Sequence, residues 1–133
     1  MGQTMRTIPI DISPGELMDR ITILEIKAER LSDPKQLENV RFELALLVRA
    51  REQAIPDAAA IRTPSEELRR VNETLWEIED DIRACERAKE FGPRFVELAR
   101  AVYFNNDRRS ALKRQINLAL GSAIIEEKSY AAY

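Results

Sequence analysis

Histidine is absent from this chain of 133 residues, and cysteine occurs once, at position 85. Without an imidazole, Ser-His-Asp and Cys-His nucleophile systems cannot be assembled within the chain. The Glu-x-x-His sites of di-iron bundles are excluded for the same reason. Nearly all zinc sites go with them, since one thiol cannot replace the missing ligands. Any catalysis rests on carboxylates, Lys, Arg or Tyr, or on a hard metal such as magnesium held by carboxylates. Cys85 cannot close an internal disulfide, which fits a reducing compartment. Glycine and proline are scarce, at four and six, beside 44% hydrophobic and 33% charged residues. That balance suits a helical domain able to bury a core and argues against disorder. No apolar run approaches the roughly 20 residues that span a bilayer. The opening Met1-Gly2-Gln3-Thr4-Met5-Arg6 has no apolar signal region, and Arg6 breaks the myristoylation pattern. A net charge of −2 gives no electrostatic reason to expect nucleic acid or an anionic membrane as partner. The expectation is a cytoplasmic protein of bacterial type, not inserted in a membrane.

What the chain does have is one start signal written three times: Ser13-Pro14-Gly15-Glu16, Asp33-Pro34-Lys35-Gln36 and Thr63-Pro64-Ser65-Glu66. In each, a side-chain oxygen can cap free backbone N–H groups and proline fits the first helical position. The following Glu or Gln can reach back to the cap. Before the first signal, Ile8, Ile10 and Ile12 alternate with Pro9 and Asp11, which reads as a short extended arm over residues 1–13, with Ile12 stapled onto Leu17. A first helix over 14–31 carries the stripe Leu17, Ile21, Leu24, Ala28 and Leu31. Ile23 and Ile26 fall on its far side, so it is either central in a bundle or shared with a second chain. A second helix over 34–54 faces Leu37, Val40, Leu44, Leu47 and Val48 inward, and the short link makes an antiparallel hairpin. Residues 55–63, with Pro56 and no periodicity, read as the main loop. A third helix over 64–90 holds Leu68, Val71, Leu75, Ile78, Ile82 and Cys85 in a strict three-four pattern, with Cys85 a small core residue.

Phe91-Gly92-Pro93 breaks the chain, and Phe91 is placed to staple onto Val96. A fourth helix then carries Phe95, Leu98, Ala99 and Val102. Asn105-Asn106-Asp107 reads as its end and as the cap of a fifth helix, which carries Leu112, Ile116, Ala119 and Leu120 and stops at Gly121. The tail over 121–133 has Ile124, Ile125, Tyr130 and Tyr133, too apolar to be assumed free. The expected fold is all-α: an antiparallel bundle of about five helices built on long hairpins. It forms one domain over 1–133 (arm 1–13, hairpin 14–54, long helix and two shorter ones 64–120, tail 121–133), pairing as a homodimer.

Two charged constellations are candidate sites. Glu77, Asp80 and Asp81 cluster within two turns of the third helix, and carboxylates three and four apart share a face that can hold magnesium. The all-helical nucleotide pyrophosphohydrolases do this with paired motifs, which Glu16-x-x-Asp19 and Glu77-x-x-Asp80 match in type but not in spacing. The plain alternative is a solvated face with (i, i+4) partners such as Asp80 and Arg83. The expected fifth helix opens on Arg108 and Arg109, followed by Lys113. Cations there oppose the helix dipole, and an anion docked on the free N–H groups from Asn106 onward would resolve the conflict. The plain alternative has these arginines reach across to the acidic face of the third helix. Trp76 lies off the helical seam, as a partner platform or as the edge of the core. With Ile23 and Ile26 it makes the candidate interface.

Several segments are similar to a small, uncharacterised family of bacterial all-helical domains. They are Ser13-Pro14-Gly15-Glu16-Leu17-Met18-Asp19-Arg20-Ile21-Thr22-Ile23-Leu24-Glu25-Ile26-Lys27, Leu75-Trp76-Glu77-Ile78-Glu79-Asp80-Asp81-Ile82-Arg83, Asn106-Asp107-Arg108-Arg109 through Lys113 to Asn117, and Glu126-Glu127-Lys128-Ser129-Tyr130. Met18 and Arg20 depart from the bulkier aliphatic and the lysine that the resemblance leads one to expect. The resemblance implies a cytoplasmic helical protein encoded near glycosyltransferase and surface-polysaccharide genes, and implies no activity or site residue. The leading expectation is therefore a non-catalytic helical interaction module, an accessory to polysaccharide assembly, with no cofactor. Its rival is an enzyme or binder for a phosphorylated sugar or nucleotide, with the anion at Asn106, Arg108, Arg109 and Lys113 and magnesium at Glu77, Asp80 and Asp81. A third reading is a mutase-like enzyme gripping a small dianion across a dimer. A deep cleft in which acidic and basic side chains converge would favour either rival over the module.

Overall fold

Ser13 stands in extended backbone, and its hydroxyl oxygen accepts the Glu16 N–H at 3.1 Å, so α1 (Pro14–Arg30) begins at the first proline signal. Asp33 does the same for the Gln36 N–H at 2.9 Å and starts α2 (Pro34–Ala54). The computed structural model describes residues 6–133 and continues with a short 3-10 turn (Ala58–Ile61), α3 (Arg62–Ala88) and α4 (Pro93–Ala119), with no strand among the described residues. Residues 1–5 of the expected arm lie outside the described residues, and residues 6–13 carry no regular element. Ile8 and Ile10 are largely exposed there, while Ile12 packs against the cluster that contains Leu17.

The third start signal is not used as written. The 3-10 turn, capped by Asp57 on the Ala59 N–H, runs straight into α3, whose cap is Ile61 with no side-chain hydrogen bond. Thr63 thus lies inside the helix, and Pro64 is buried in its first turn, where a missing N–H costs nothing. The stretch expected as a loop is anchored at both ends, because Ile55 and Ile61 enter the core. An aperiodic segment can be buried at two points without leaving any helical pattern to read.

The larger correction concerns the last two expected helices, which are one. α4 runs unbroken through Asn105-Asn106-Asp107, so the bundle has four α-helices rather than about five. Asn105 Nδ2 donates to the Ala101 carbonyl at 2.9 Å, so the amide lies along the helix instead of capping a new one. Leu98 and Leu112, both buried, lie 14 positions apart, just under four turns, and only an uninterrupted helix presents both to α3. Packing of those two ends outweighs the weak local preference of Asn and Asp for turns. The breaks after α3 and after α4 do come close to where they are expected. Lys89 takes a left-handed conformation (φ 58°) and the Glu90 N–H reaches the Cys85 carbonyl at 2.9 Å, while Gly121 (φ 64°) ends α4. Phe91, however, turns edge-on to Phe95 (5.3 Å) rather than onto Val96, which stays half exposed.

The core divides into two clusters. Leu17, Met18 and Ile21 of α1 meet Leu68 of α3 and Leu112 and Ile116 of α4, joined by Ile55 and Ile61. Further out, Ile78, Cys85 and Leu98 form a smaller cluster between α3 and α4 alone. α1 packs against α2, α3 and α4, so it is the central helix. That position accounts for one half of the two-sided pattern read from its sequence: Ile26, expected at an interface between chains, is 1% exposed inside this chain's own core, while Ile23 is partly exposed. α1 and α4 come unusually close at Gly15. A Cβ there would sit 2.4 Å from the Lys113 carbonyl oxygen, and the Gly15 N–H is held by Asn117 Oδ1 at 2.7 Å. That contact places the polar residues of α1 opposite those of α4.

Candidate functional site

Glu16 and Asp19 lie three positions apart on α1, and Arg109, Lys113 and Asn117 recur every four on α4, so each set shares one face. Because Gly15 brings the helices together, the two faces meet. Asp19 is 1% exposed and receives a two-pronged grip from Arg109, Nε to Oδ1 at 2.8 Å and Nη2 to Oδ2 at 2.5 Å. Asn72 of α3 donates to Asp19 Oδ1 (3.0 Å) and to Thr22 Oγ1 (2.9 Å), and the Thr22 hydroxyl donates to the Asp19 carbonyl (2.8 Å). Every polar group around the buried carboxylate therefore has a partner, which is the condition for keeping a charge inside a core.

One turn along, Lys113 Nζ donates to Glu16 Oε2 at 2.6 Å, and Arg20 Nε donates to Glu16 Oε1 at 3.0 Å. Burial pushes the Glu16 carboxyl up, but its hydrogen bonds from Lys113 and Arg20 outweigh this and leave it below its ordinary value. Burial pulls the Lys113 ammonium down, and the hydrogen bonds to Glu16 and Glu126 overcome that and raise it. The Arg109 guanidinium is raised by its hydrogen bond to Asp19 against the effect of burial. All three groups keep their charge at neutral pH. None is tuned to exchange a proton there, as a general acid or base would be.

Above these cations opens a cleft of about 710 Å³ between α1, α4 and the segment that follows Gly121. Lys113, its side chain 10% exposed, is the most buried cation in its lining, which Arg109, Lys128, Asp107, Tyr103, Tyr130 and Tyr133 share. The segment over 121–133 crosses the cleft rather than leaving it. Glu126 Oε2 sits 2.9 Å from Lys113 Nζ, and Glu127 pairs with Arg114 at 3.1 Å. Lys128 lies 3.6 Å from Asp107, and the Tyr133 hydroxyl donates to the same carboxylate. Exposure separates the inner contacts from the outer. The Asp19 side chain is 1% exposed and Lys113 10%, whereas Glu126 is 57% and Glu127 72% exposed. Breaking the inner pairs leaves a buried charge alone, at about 3–5 kcal/mol, whereas each outer pair contributes about 0–1 kcal/mol.

The candidate residues from the sequence are distributed as follows. Arg109 and Lys113 do share one site, but not at a helix start, since α4 has no free N–H groups at Asn106. Asn106 Oδ1 accepts from Arg109 Nη1 at 3.5 Å, at the long limit of a hydrogen bond. Arg108 points the other way and donates to Glu67 of α3, as the plain alternative had it. Glu77 receives Arg30 and Asp81 receives Arg94, each at 3.3 Å, so two of the three candidate metal carboxylates are turned apart toward arginines. Asp80 is exposed, and Arg83 pairs with Glu79 rather than with it. Among the described residues no group of three or more metal-ligating side chains is gathered. At Glu16 and Asp19, the positions facing the carboxylates are taken by an ammonium and a guanidinium. Ile23 and Trp76 are half-buried.

Sequence reasoning missed Asn72, Asn117 and Glu126. The first two are polar residues on core faces, an anomaly visible in the pattern. Nothing in the sequence joins Glu126 to Lys113. Among the described residues, no helix is long and apolar enough to cross a membrane. Residues 8–133 match a family described as a family of unknown function, DUF6165. No curated protein and no solved structure matches the chain.

Proposed function

This chain belongs to the DUF6165 family of unknown function, and from the geometry of its cleft we propose that it is an anion-binding helical protein. Its cleft between α1, α4 and the following segment takes a phosphorylated small molecule. One observation carries the reading: Lys113, charged and largely buried in the lining of an open cleft, has an outer partner that is an exchangeable carboxylate, Glu126. A phosphate could take that place and meet the ammonium with a charge-assisted hydrogen bond. Arg109, already committed to Asp19, would add field rather than a direct contact. Charge retention at Glu16, Arg109 and Lys113 favours binding over proton-transfer catalysis. A role beside polysaccharide assembly, cytoplasmic and bacterial, is compatible with sugar phosphates as the anionic species. Calorimetric titration with inorganic phosphate and with a sugar phosphate tests the reading. Wild-type protein should bind, and Lys113→Met should lose about tenfold or more, the counterpart of one charged hydrogen bond. Absence of binding in wild type and in Glu126→Gln alike refutes it.

A second reading, the interaction module pairing as a homodimer, is favoured by the apolar groove of about 980 Å³ beneath Ile8 and Ile10, walled by Leu47, Ile55 and Leu120. Ile23 and Trp76 would supply further surface. A monomer mass in light scattering at micromolar concentration counts against the dimer.

A further inference from the structure

The segment over 121–133 touches the cleft in two chemically different ways. At one end the Glu126 carboxylate sits on Lys113. At the other, the Tyr133 ring stacks on Tyr103, with centroids 5.3 Å apart and planes 15° from parallel, and stands edge-on to Phe104 at 4.9 Å. Tyr103 and Lys113 are ten positions apart on α4, about 15 Å along the axis at the helical rise per residue. An anion alone therefore fills only the Lys113 end. A carboxylate and an aromatic ring, spaced to reach both, fill the whole cleft.

Both contacts are lightly held. Tyr133 is 72% exposed, and the Glu126 side chain is more than half exposed. Tyr103 and Phe104, residues 43% and 44% exposed, offer an aromatic face on α4 that Tyr133 only partly covers. We infer that this segment is a resident mimic of the cleft's ligand, and that the ligand is a nucleoside phosphate. Its phosphate replaces Glu126 on Lys113, and its base replaces Tyr133 on Tyr103. The inference rests on the anion-binding reading and specifies its ligand class. Base-on-tyrosine stacking needs no particular base identity, so the aromatic end confers affinity more than base selectivity. Displacement of the segment lowers the apparent affinity by the fraction of molecules in which the cleft is open.

The test is calorimetric titration of full-length protein with three probes: uridine diphosphate, pyrophosphate and uridine. Wild type should bind uridine diphosphate tighter than pyrophosphate, and in Tyr133→Ala, where no ring competes for Tyr103, the difference should reach at least about fivefold, the low end of what one stacked base contributes. Glu126→Gln should tighten both phosphate probes by about fivefold. Tyr133→Ala should tighten uridine diphosphate alone, and Tyr103→Ala should reduce it to the pyrophosphate value. Both tail positions are exposed, so these variants leave the folded core intact. If both phosphate probes bind equally and Tyr133→Ala changes neither, the anion site stands and the nucleoside inference falls. Uridine binding as tightly as its diphosphate also overturns the inference. If neither wild type nor Glu126→Gln binds pyrophosphate or uridine diphosphate, the anion-binding reading falls with it.

Discussion

Replacing Gly15 with alanine sets two physical effects against each other, with opposite signs. Gly15 is the second residue of α1, where helix propensity favours alanine by up to about 1 kcal/mol. On sequence alone, the substitution stabilises. In the structure the added Cβ meets the Lys113 carbonyl oxygen at 2.4 Å, Asn117 Oδ1 at 2.8 Å and the Lys113 carbonyl carbon at 3.0 Å. Two of those atoms are backbone, so no rotamer change relieves the clash, and α1 must move off α4. Overpacking of this kind costs about 1–3 kcal/mol. The same movement stretches the 2.7 Å hydrogen bond from the Gly15 N–H to Asn117 and orphans buried groups, at about 1–3 kcal/mol more. The two costs overlap, and with the propensity gain subtracted the net loss is about 2–4 kcal/mol. For a domain of this length that lowers the thermal midpoint by roughly 6–20 °C. Thermal and urea unfolding followed by circular dichroism read it, with Gly92→Ala as the control. Nothing lies within 4 Å of a Cβ at Gly92, and its cost should stay within about 1 kcal/mol. A Gly15→Ala midpoint at or above wild type would show that α1 and α4 do not meet there, and the ionic site built on that contact would go with it.

Three further outcomes follow from the same geometry. Asp19→Ala removes the buried acceptor of Arg109 and Asn72 and should cost about 1–3 kcal/mol, while Glu77→Ala, on an exposed pair, should cost under about 1 kcal/mol; equal midpoints in urea would contradict this. Glu16 is held below its ordinary value of 4.5, so its contribution is full above that pH and is lost as pH falls through the lower folded value. Lys113 is raised above 10.5, so its contribution is full below that pH and is lost as pH rises through the folded value. The urea midpoint should therefore show a plateau between about pH 5 and 10, and Glu16→Gln should blunt the acid limb; an unchanged acid limb in that variant would sink the assignment. Lys89→Gly relieves a left-handed residue at the end of α3 and should raise stability by about 1 kcal/mol; a drop in midpoint would contradict the φ of 58°.

The legibility of the fold can be judged helix by helix. Ser13 and Asp33 start α1 and α2 as written, because capping is local and depends on atoms within three residues. The Glu16 side chain, read as the second half of a capping box, instead serves Arg20 and Lys113, since a long-range cation outbids a neighbouring N–H. The break expected at Asn105 failed for a similar reason: the residues that keep α4 straight, Leu98 and Leu112, lie on either side of it. Arg108 and Arg109, with Lys113 after them, stand out by a rule about cations at a helix start that does not apply to a continuous α4; Arg109 and Lys113 nonetheless face α1 together, while Arg108 turns to Glu67.

Composition and periodicity by themselves determined the chemistry this protein can draw on, the helical class and the starts of α1 and α2, because each depends on residue type or on neighbours within a turn. Only the tertiary structure decided that Gly15 is a point of contact rather than a helix opener, that Ile26 belongs to this chain's own core, and that Glu126 lies on Lys113. Those facts join residues up to 102 positions apart. A charge or a missing side chain has no local signature of the partner it will meet, and that partner is chosen by how the helices pack.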